Sequence, residues 1–238
     1  MLRATLICLL TLLPAPARSC EVALVLAVDV SGSVDAWEYR LQTEGLARAL
    51  RAPDVTEAML RARAMVTVTQ WSGVEQQQLS VPWTRVQEPA DLSRLTARIA
   101  TLPRAFERGN TAVGAALDHA AAQFDARVQH CARWVVDISG DGDENEGFTI
   151  GRARQAALRR GITVNGLAIE GVATGMAITN FYRRWVITPG GFVITAQGHA
   201  DFERAMQAKL MRELSPPLAE RLPARLWRAM AVQAGPWP

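Results

Sequence analysis

The amino-acid sequence predicts an α/β fold: a doubly wound, mostly parallel sheet of six strands with helices on both faces. Short apolar runs rich in β-branched residues alternate along the chain with longer segments of helical character, as expected for strands joined by helical crossovers. Hydrophobic residues make up 49% and charged residues 21% of the 238 residues, which is the balance of a globular protein. A chain of this length can form one such domain with a full core.

The first predicted strand covers residues 21–29 and ends in Asp29. Its continuous apolar run is typical of a strand that is buried on both faces. Asp35 is a suitable N-cap for a helix that extends to Arg51, and Pro53 is expected to close that helix. The apolar positions of this helix are Trp37, Leu41, Leu46 and Leu50.

A hairpin and a second helix are predicted next. Residues 64–71 alternate between apolar and polar side chains, as is typical of a strand. Residues 76–81 are the expected hairpin partner of this strand, and Pro82 is expected to end it. Residues 89–102 have the character of a helix, which Pro103 would stop.

The second half of the chain alternates helices and strands more regularly. It begins with an alanine-rich helix at residues 111–128. The elements expected after it are a strand at 134–139, a helix at 149–160, a strand at 163–169, a short helix at 176–185, a strand at 191–195 and a helix at 200–214. In such a sheet the crossovers are right-handed, and ligands bind at the carboxyl ends of the strands.

The two ends of the chain are expected to lie outside this domain, which covers residues 20–214. Residues 1–19 have the parts of a secretory signal peptide: Arg3, an apolar run at 4–13 and small residues before the cleavage site. The apolar run is too short to span a bilayer, which needs about 20 residues, so no transmembrane segment is expected after cleavage. Residues 215–238 are expected to be a proline-containing C-terminal tail.

The mature chain is expected to be nearly neutral and to contain two cysteines. Lys and Arg number 26 and Asp and Glu 23, so removal of Arg3 and Arg18 with the signal peptide leaves 24 against 23, a net charge of +1. No basic stripe with interleaved aromatic residues occurs, so nucleic acid is not an expected partner. Cleavage removes Cys8 and leaves Cys20 and Cys131, an even pair that suits an oxidising compartment.

Polar side chains follow two predicted strands and open one predicted helix. Asp29, Ser31 and Ser33 come at the carboxyl end of the first strand. Thr111 opens the alanine-rich helix, and Asp141 follows a later strand. In a doubly wound sheet these positions share one edge. Two carboxylates and three hydroxyls, without His or Cys, suit a hard divalent cation such as Mg²⁺, Mn²⁺ or Ca²⁺.

This group of residues resembles the metal-ion-dependent adhesion site of von Willebrand factor A (vWA) domains. That site combines Asp-x-Ser-x-Ser with a distant Thr and a later Asp-Gly. The residues that match it, in the same order, are Asp29, Ser31, Ser33, Thr111 and Asp141. The resemblance covers about residues 20–214 and is closest to an uncharacterised secreted bacterial family of this fold. Three further fragments support it: LAVDV at 26–30, QWSG at 70–73 and NGLAI at 165–169.

The resemblance implies a sheet order, a ligand and a function. The expected strand order is 3-2-1-4-5-6, with one antiparallel edge strand. One divalent cation, with Mg²⁺ favoured over Mn²⁺ and Ca²⁺, is expected to mediate binding to an unidentified protein through an acidic or other anionic oxygen group. The chain is accordingly expected to be a non-enzymatic, adhesion-type binding module in the bacterial periplasm or outside the cell.

The expected sheet order also pairs the two remaining cysteines. Cys20 lies nine residues before Asp29, and Cys131 lies ten residues before Asp141. If both aspartates lie at the carboxyl ends of neighbouring strands, both cysteines lie at the opposite ends, where strands are about 4.8 Å apart. A disulfide between Cys20 and Cys131 is therefore expected.

A haloacid-dehalogenase-like phosphatase is the alternative function from a different class. Its late acidic motif resembles residues 140–145 of this chain. Two features argue against it: Ser31 stands where that family carries a second Asp, and the only lysine available to balance a phosphoryl charge is Lys209. No Gly-x-Ser-x-Gly motif of a hydrolase lies near the histidines, which are expected to be structural or surface residues: His119, His130 and His199.

The acidic residues that follow Asp141 leave three interpretations open. Asp143, Glu144 and Glu146 could repel an acidic partner, attract a second cation or face water. The sequence alone does not choose between these roles, because each depends on what the loop contacts.

Overall fold

The computed structural model describes residues 20–171 and 176–215. The expected signal peptide at 1–19 and the tail beyond Ser215 lie outside these residues. Within the described ranges, no helix is long and apolar enough to cross a membrane.

A single six-stranded sheet forms the centre of the molecule. Its strands lie in the order β3-β2-β1-β4-β5-β6, and only the β2–β3 pair is antiparallel. The predicted α/β class, strand order and antiparallel edge strand are therefore confirmed. The strands are β1 (Val22–Asp29), β2 (Met65–Trp71), β3 (Gln77–Arg85), β4 (Arg133–Gly140), β5 (Ile162–Glu170) and β6 (Val193–Gln197).

Helices cover both faces of the sheet. Those of the described residues are α1 (Ala36–Arg51), α2 (Pro53–Ala62), α3 (Pro89–Ala100), α4 (Val113–Ala122), α5 (Ile150–Arg159), α6 (Ala177–Phe181) and α7 (Phe202–Leu214). A π-helical turn at Tyr182–Val186 follows α6, and a 3-10 turn at His199–Asp201 precedes α7.

Two hydrophobic cores lie on the two faces of the sheet, and β1 contributes to both. Its residues are all buried. Leu24 and Leu26 pack in the core that contains residues of α1, α2, α3 and α7, whereas Ala23 and Val25 pack in the core formed with α4, α5 and α6. Because successive side chains of a strand point to opposite faces, an unbroken apolar run is what a central strand between two helical layers requires.

One helix was not predicted, and two predicted element boundaries are wrong. The first helix ends at Arg51 as expected, but Pro53 then begins α2, because proline suits the first position of a helix. β3 continues through Pro82 to Arg85, which an edge strand tolerates, and its pairing with β2 shifts register there. Helix α4 covers Val113–Ala122 instead of 111–128, because the preceding backbone is bonded elsewhere: the amide of Ala112 donates to the Ser72 carbonyl at 2.9 Å.

A disulfide joins the amino-terminal ends of the two central strands. Cys20 precedes β1 and Cys131 precedes β4, and their Cα atoms are 4.5 Å apart. The amide of Ala132 donates to the Cys20 carbonyl at 3.1 Å, which continues the strand pairing beside the disulfide. The expected pairing of the two cysteines is present in the structure, at the end of the sheet opposite to the polar clusters.

Candidate metal site

The polar residues that follow β1 and β4 lie side by side at the carboxyl edge of the sheet. The two strands are parallel neighbours, and Val28 is in register with Ser139. Asp29 and Asp141 therefore leave the sheet at the same edge. This edge is where ligands bind in doubly wound sheets.

The turn after β1 is folded around the carboxylate of Asp29. The Ser31 amide donates to Asp29 Oδ1 at 2.7 Å, and the Ser31 and Ser33 hydroxyls are 3.2 Å apart. The Gly32 amide donates to the Gly109 carbonyl at 2.9 Å. A Cβ atom at position 32 would lie 3.0 Å from that carbonyl oxygen, so glycine allows the turn to approach the loop before Thr111.

Thr111 is held at the same edge by Asn145. The Asn145 side-chain oxygen accepts a hydrogen bond from the Thr111 amide at 2.8 Å, and the Asn145 amide donates to the Thr111 carbonyl at 3.0 Å. A Cβ atom at Gly142 would lie 3.6 Å from the Thr111 hydroxyl oxygen, so this hydroxyl lies close to the backbone that follows Asp141. Asn145 is a positioning residue that sequence analysis did not assign, although its place in the acidic loop was a signal.

The two carboxylates of the cluster have different environments. Asp29 is fully buried, and its Oδ2 has no hydrogen-bond partner among the described residues. Burial, together with the negative charge of Asp141, raises the pKa of Asp29 to about 7. Asp141 is half-buried and its Oδ1 accepts a hydrogen bond from Ser33 at 2.6 Å. A cation between these groups would offset the cost of burying Asp29, so the oxygen donors present fit a divalent ion.

The cluster is closed on one side and open on the other. Asp29 and Ser31 are buried and Thr111 is 5% exposed, whereas Ser33 is exposed. An ion held here would therefore be reached by an external group from the side of Ser33 and Asp141.

Tyr182 closes the buried side and was not predicted as part of the site. A Cβ atom at Gly140 would lie 2.6 Å from the Tyr182 hydroxyl and 2.8 Å from Asp29 Oδ2, so both oxygens lie against this glycine. The hydroxyl is buried without a hydrogen-bond partner among the described residues. Burial raises the pKa of Tyr182 well above its ordinary value, and the negative charges of Asp29, Asp141 and Asp137 raise it further. The hydroxyl therefore keeps its proton.

Arg104 holds the same turn from outside. Its Nη2 donates to the carbonyls of Val30 and Ser31, at 3.0 and 2.9 Å respectively. Arg104 also lines a cavity of about 560 Å³ beside the turn, together with Tyr39 and Arg40. The loop after α3 thus fixes the conformation of the Asp29–Ser33 segment.

The acidic loop after Asp141 is bonded to backbone amides rather than to solvent alone. Glu144 accepts hydrogen bonds from the amides of Gly114 at 2.8 Å, Thr149 at 3.3 Å and Ile150 at 3.2 Å, near the amino-terminal ends of α4 and α5. Glu146 accepts one from the Val74 amide at 3.0 Å. Of the three acidic residues, Asp143 is exposed. Glu144 and Glu146 therefore fasten the loop, a role outside the three interpretations that the sequence left open.

The lysine that the phosphatase alternative requires lies away from this edge of the sheet. Lys209 is fully buried, with its ammonium nitrogen 2.8 Å from Asp137 and 2.6 Å from Glu213. It is thus bound within the core and does not face the cluster around Asp29. The structure gives no cation from this residue to a phosphoryl group at the sheet edge.

The three histidines have contacts of other kinds. His119 lies in α4 and is within 3.4 Å of the Gln123 side chain, and His130 lies 3.3 Å from Arg85 beside the disulfide. His199 Nδ1 lies 3.2 Å from Glu38. Burial lowers the pKa of His119. These contacts agree with structural or surface roles.

Solved structures share this fold at low sequence identity. Proximal thread matrix protein 1 from the mussel byssus, in a structure with a zinc-occupied MIDAS motif, has a TM-score of 0.58 and 13% identity; the match covers 83% of this chain and 46% of that chain. A von Willebrand factor type A structure from Catenulispora acidiphila has a TM-score of 0.57 and 16% identity, over 82% and 43% of the two chains. BatB from Bacteroides thetaiotaomicron has a TM-score of 0.53 and 16% identity, over 81% and 99%.

The sequence comparisons give a family without an assigned activity. The model of the family described as "Protein of unknown function (DUF1194)" matches residues 19–218. No curated protein matches the chain. The chain spans less than half the length of the mussel and Catenulispora proteins that it matches in structure.

Proposed function

This chain belongs to the DUF1194 family and has a vWA-like fold, and we propose that it is a secreted, non-enzymatic binding module that depends on one divalent cation. The residues that would hold the ion are Asp29, Ser31, Ser33, Thr111 and Asp141. The partner would be a protein that presents an acidic or other anionic oxygen group.

The buried carboxylate of Asp29 is the observation that carries this proposal. One of its oxygens has no hydrogen-bond partner among the described residues, and the carboxylate lies in the field of Asp141. A buried carboxylate beside a second acid costs free energy unless a positive charge offsets it. No hydrogen bond or ion pair with a basic side chain is found for Asp29 within the described ranges. A bound cation would supply the positive charge that the carboxylates of Asp29 and Asp141 require.

The donor set suits a hard divalent cation, and we expect that ion to be Mg²⁺. All five side chains offer oxygen, and two of them are carboxylates, which together balance the charge of one divalent ion. Mn²⁺ and Ca²⁺ have the same preference for oxygen and are the alternatives. Cys20, Cys131 and His130 lie close together, but both sulfurs belong to the disulfide and are not thiolate ligands.

The open side of the site gives the direction of partner binding. When bound, the ion would supply positive charge to an anionic oxygen of the partner. Ser33 is exposed and Asp141 half-buried, so these residues line the approach. Asp29, Ser31 and Thr111 would hold the ion from the buried side, and Arg104 would keep the turn in place through its hydrogen bonds to the backbone.

Export is a further part of the proposal. A Cys20–Cys131 disulfide suits an oxidising compartment, in agreement with the signal peptide expected at residues 1–19. Amino-terminal sequencing of protein from the periplasm or medium should give a start near position 18 or 20. Retention of Met1 would contradict export by this route.

Calorimetry on the metal-free mature protein tests the ion. Titration with Mg²⁺ and Mn²⁺ should give one site per chain, and the melting temperature should rise with ion concentration by mass action. Asp29→Asn removes the buried charge and should abolish the response, whereas the matched control Asp118→Asn, on the surface of α4, should retain it. A wild-type protein that does not respond to millimolar ion would contradict the proposal.

An activity assay separates the binding module from the phosphatase alternative. The purified protein should not hydrolyse p-nitrophenyl phosphate in the presence of Mg²⁺. Hydrolysis that depends on Mg²⁺ and disappears in Asp29→Asn would show that the same site is enzymatic and would overturn the non-enzymatic assignment.

A further inference from the structure

The only lysine of the chain is enclosed in the core on the α7 side of the sheet. Lys209 lies in α7 and is fully buried, unlike most of the arginines. The side chains of Asp137, on β4, and Glu213, one turn further along α7, are 1% and 2% exposed. A buried amine between two buried carboxyl groups is therefore built into the sheet–helix interface.

The three groups are close enough to react. Lys209 Nζ is 2.8 Å from Asp137 Oδ1 and 2.6 Å from Glu213 Oε1. The contact with Glu213 is a hydrogen bond, whereas neither oxygen of Asp137 has a hydrogen-bond partner among the described residues. Nζ thus approaches the Asp137 carboxyl group without hydrogen-bonding geometry. The carbon that the amine would attack, Cγ, is bonded to Oδ1, so Nζ lies close to this carbon. Reacting atoms held about 3–3.5 Å apart meet the condition for efficient intramolecular reaction.

Glu213 is positioned by a second side chain. Asn165 on β5 donates from Nδ2 to Glu213 Oε1 at 2.9 Å, and its own Oδ1 accepts from the Phe192 amide at 3.1 Å. The ring of Phe192 lies 5.6 Å from Nζ and covers this part of the core. Asn165 therefore holds Glu213 beside the amine, in a part of the core that is closed to solvent.

Ionisation of Lys209, Asp137 and Glu213 together would cost free energy in the core. One ammonium and two carboxylates would leave an uncompensated negative charge in the core. Burial, and in addition the charge of Glu213, raise the pKa of Asp137 to about 7. A proton therefore resides readily on Asp137. Glu213 is hydrogen-bonded to Nζ and is placed to take a proton from the nitrogen, and an amine beside a protonated carboxyl group is the pair from which an amide forms.

We propose that Lys209 and Asp137 are joined by an intramolecular isopeptide bond, and that Glu213 promotes its formation. The lone pair of Nζ attacks Cγ of the protonated Asp137 carboxyl group. A C–N bond forms and the C–OH bond breaks. Glu213 accepts a proton from the nitrogen and passes a proton to the departing hydroxyl, which leaves as water. The overall change is amine plus carboxylic acid to amide plus water, without oxidant or reductant.

The reaction has a physical driving force at this site. Enclosure in the core gives the amine a high effective concentration relative to the acid, on the order of 10⁵–10⁸ M for well-oriented groups. Condensation also replaces a buried amine and a buried carboxyl group with one neutral amide. The product would fasten α7 to β4, four residues before the candidate metal ligand Asp141. The bond does not depend on the ion, so metal binding and this modification can be tested separately.

Mass spectrometry of the wild-type protein tests the bond directly. After reduction of the disulfide, the intact chain should be about 18 Da, one water, lighter than its sequence mass. Trypsin should not cleave at the modified Lys209, so residues 134–152 and 205–212 should be recovered as one cross-linked peptide. Separate peptides 205–209 and 210–212, together with the full sequence mass, would overturn the proposal.

Variants identify the atoms involved. Glu213→Gln keeps the size of the side chain but cannot carry the proton, and it should leave the chain at its full mass. Glu203→Gln, at a partly exposed position of the same helix that is paired with Arg48, should still lose water. If Glu213→Gln does not fold, the wild-type mass and cross-linked peptide still decide the question. A loss of about 17 Da, with the peptide that contains Asn165 in the cross-link, would assign the bond to Asn165 and overturn the role given to Asp137.

Discussion

Ser33 donates its hydroxyl to Asp141 Oδ1 at 2.6 Å, and this hydrogen bond joins the turn after β1 to the loop after β4. The two residues are 108 positions apart in the chain, yet they leave adjacent parallel strands at the same edge. The contact brings a neutral hydroxyl and a carboxylate to the exposed side of the cluster around Asp29. It is the part of the candidate metal site that a partner would meet first.

Ser33→Ala should weaken ion binding and leave the fold intact. The variant removes a hydroxyl ligand and leaves Asp141 without its nearest donor, so we expect Mg²⁺ affinity to fall by about tenfold or more in calorimetry. Loss of one partly exposed hydrogen bond should lower the free energy of unfolding by only about 1 kcal/mol. Ser93→Ala, which removes an exposed hydroxyl of α3, is the control. Equal affinities in the two variants would contradict a role for Ser33.

Tyr182→Phe should lower ion affinity although Tyr182 is not proposed as a ligand. Its buried hydroxyl and Asp29 Oδ2 both lie against Gly140, and neither has a hydrogen-bond partner among the described residues. We expect the hydroxyl to donate to this carboxylate when an ion is bound. Loss of such supporting contacts typically weakens metal binding by about 10–100-fold.

The other tyrosine of the chain is the natural control for that experiment. Tyr39 donates its hydroxyl to the Leu102 carbonyl at 2.9 Å, outside the cluster. Tyr39→Phe should therefore leave the Mg²⁺ affinity unchanged. A Tyr182→Phe protein with wild-type affinity would show that the hydroxyl does not act on Asp29.

Glu144→Gln should reduce stability rather than ion binding. The Glu144 carboxylate accepts three backbone hydrogen bonds where α4 and α5 begin, and negative charge is favourable at helix amino termini. We expect a loss of about 1–2 kcal/mol in the free energy of unfolding, the size of a lost helix cap. Chemical denaturation of the metal-free protein measures this change.

The neighbouring acidic residue tests whether charge alone explains that effect. Asp143 is exposed, so Asp143→Asn should change stability by less than about 0.5 kcal/mol. A large loss of Mg²⁺ affinity in either variant would show that the acidic loop takes part in ion binding.

Loss of the disulfide should lower stability substantially. The Cys20–Cys131 bond closes a loop with a sequence separation of 111 residues, for which the chain-entropy model gives about 4–5 kcal/mol. Replacement of both cysteines by alanine should shift the denaturation midpoint by a corresponding amount. The variant should keep its Mg²⁺ affinity, because the disulfide lies at the opposite end of β1 and β4 from the site. An unchanged midpoint would contradict this prediction and would show that the disulfide does not stabilise the fold by restricting the unfolded chain.

The sequence by itself determined the α/β class, the positions of all six strands and the cluster of polar residues at one sheet edge. The central strand β1 was recognisable because a strand between two helical layers must be apolar on both faces, which gives a run of consecutive apolar residues. β2 was recognisable from its alternating side chains. Asp29 and Asp141 were recognisable because a polar residue directly after such a run must lie at the end of its strand. Parallel pairing then brings the ends of β1 and β4 together.

The tertiary structure decided which distant groups meet. The positions of Asn145, Tyr182 and Arg104 around the site depend on loops and helices that return to the sheet edge, and no local periodicity encodes that return. In the sequence, Glu144 cannot be distinguished from an exposed acidic residue. Its hydrogen bonds to backbone amides near the start of the helices form only when the chain is folded. Lys209 is the clearest case: a charged residue is ordinarily expected at the surface, and it is buried because Asp137 and Glu213 are brought to it by the packing of α7 on the sheet.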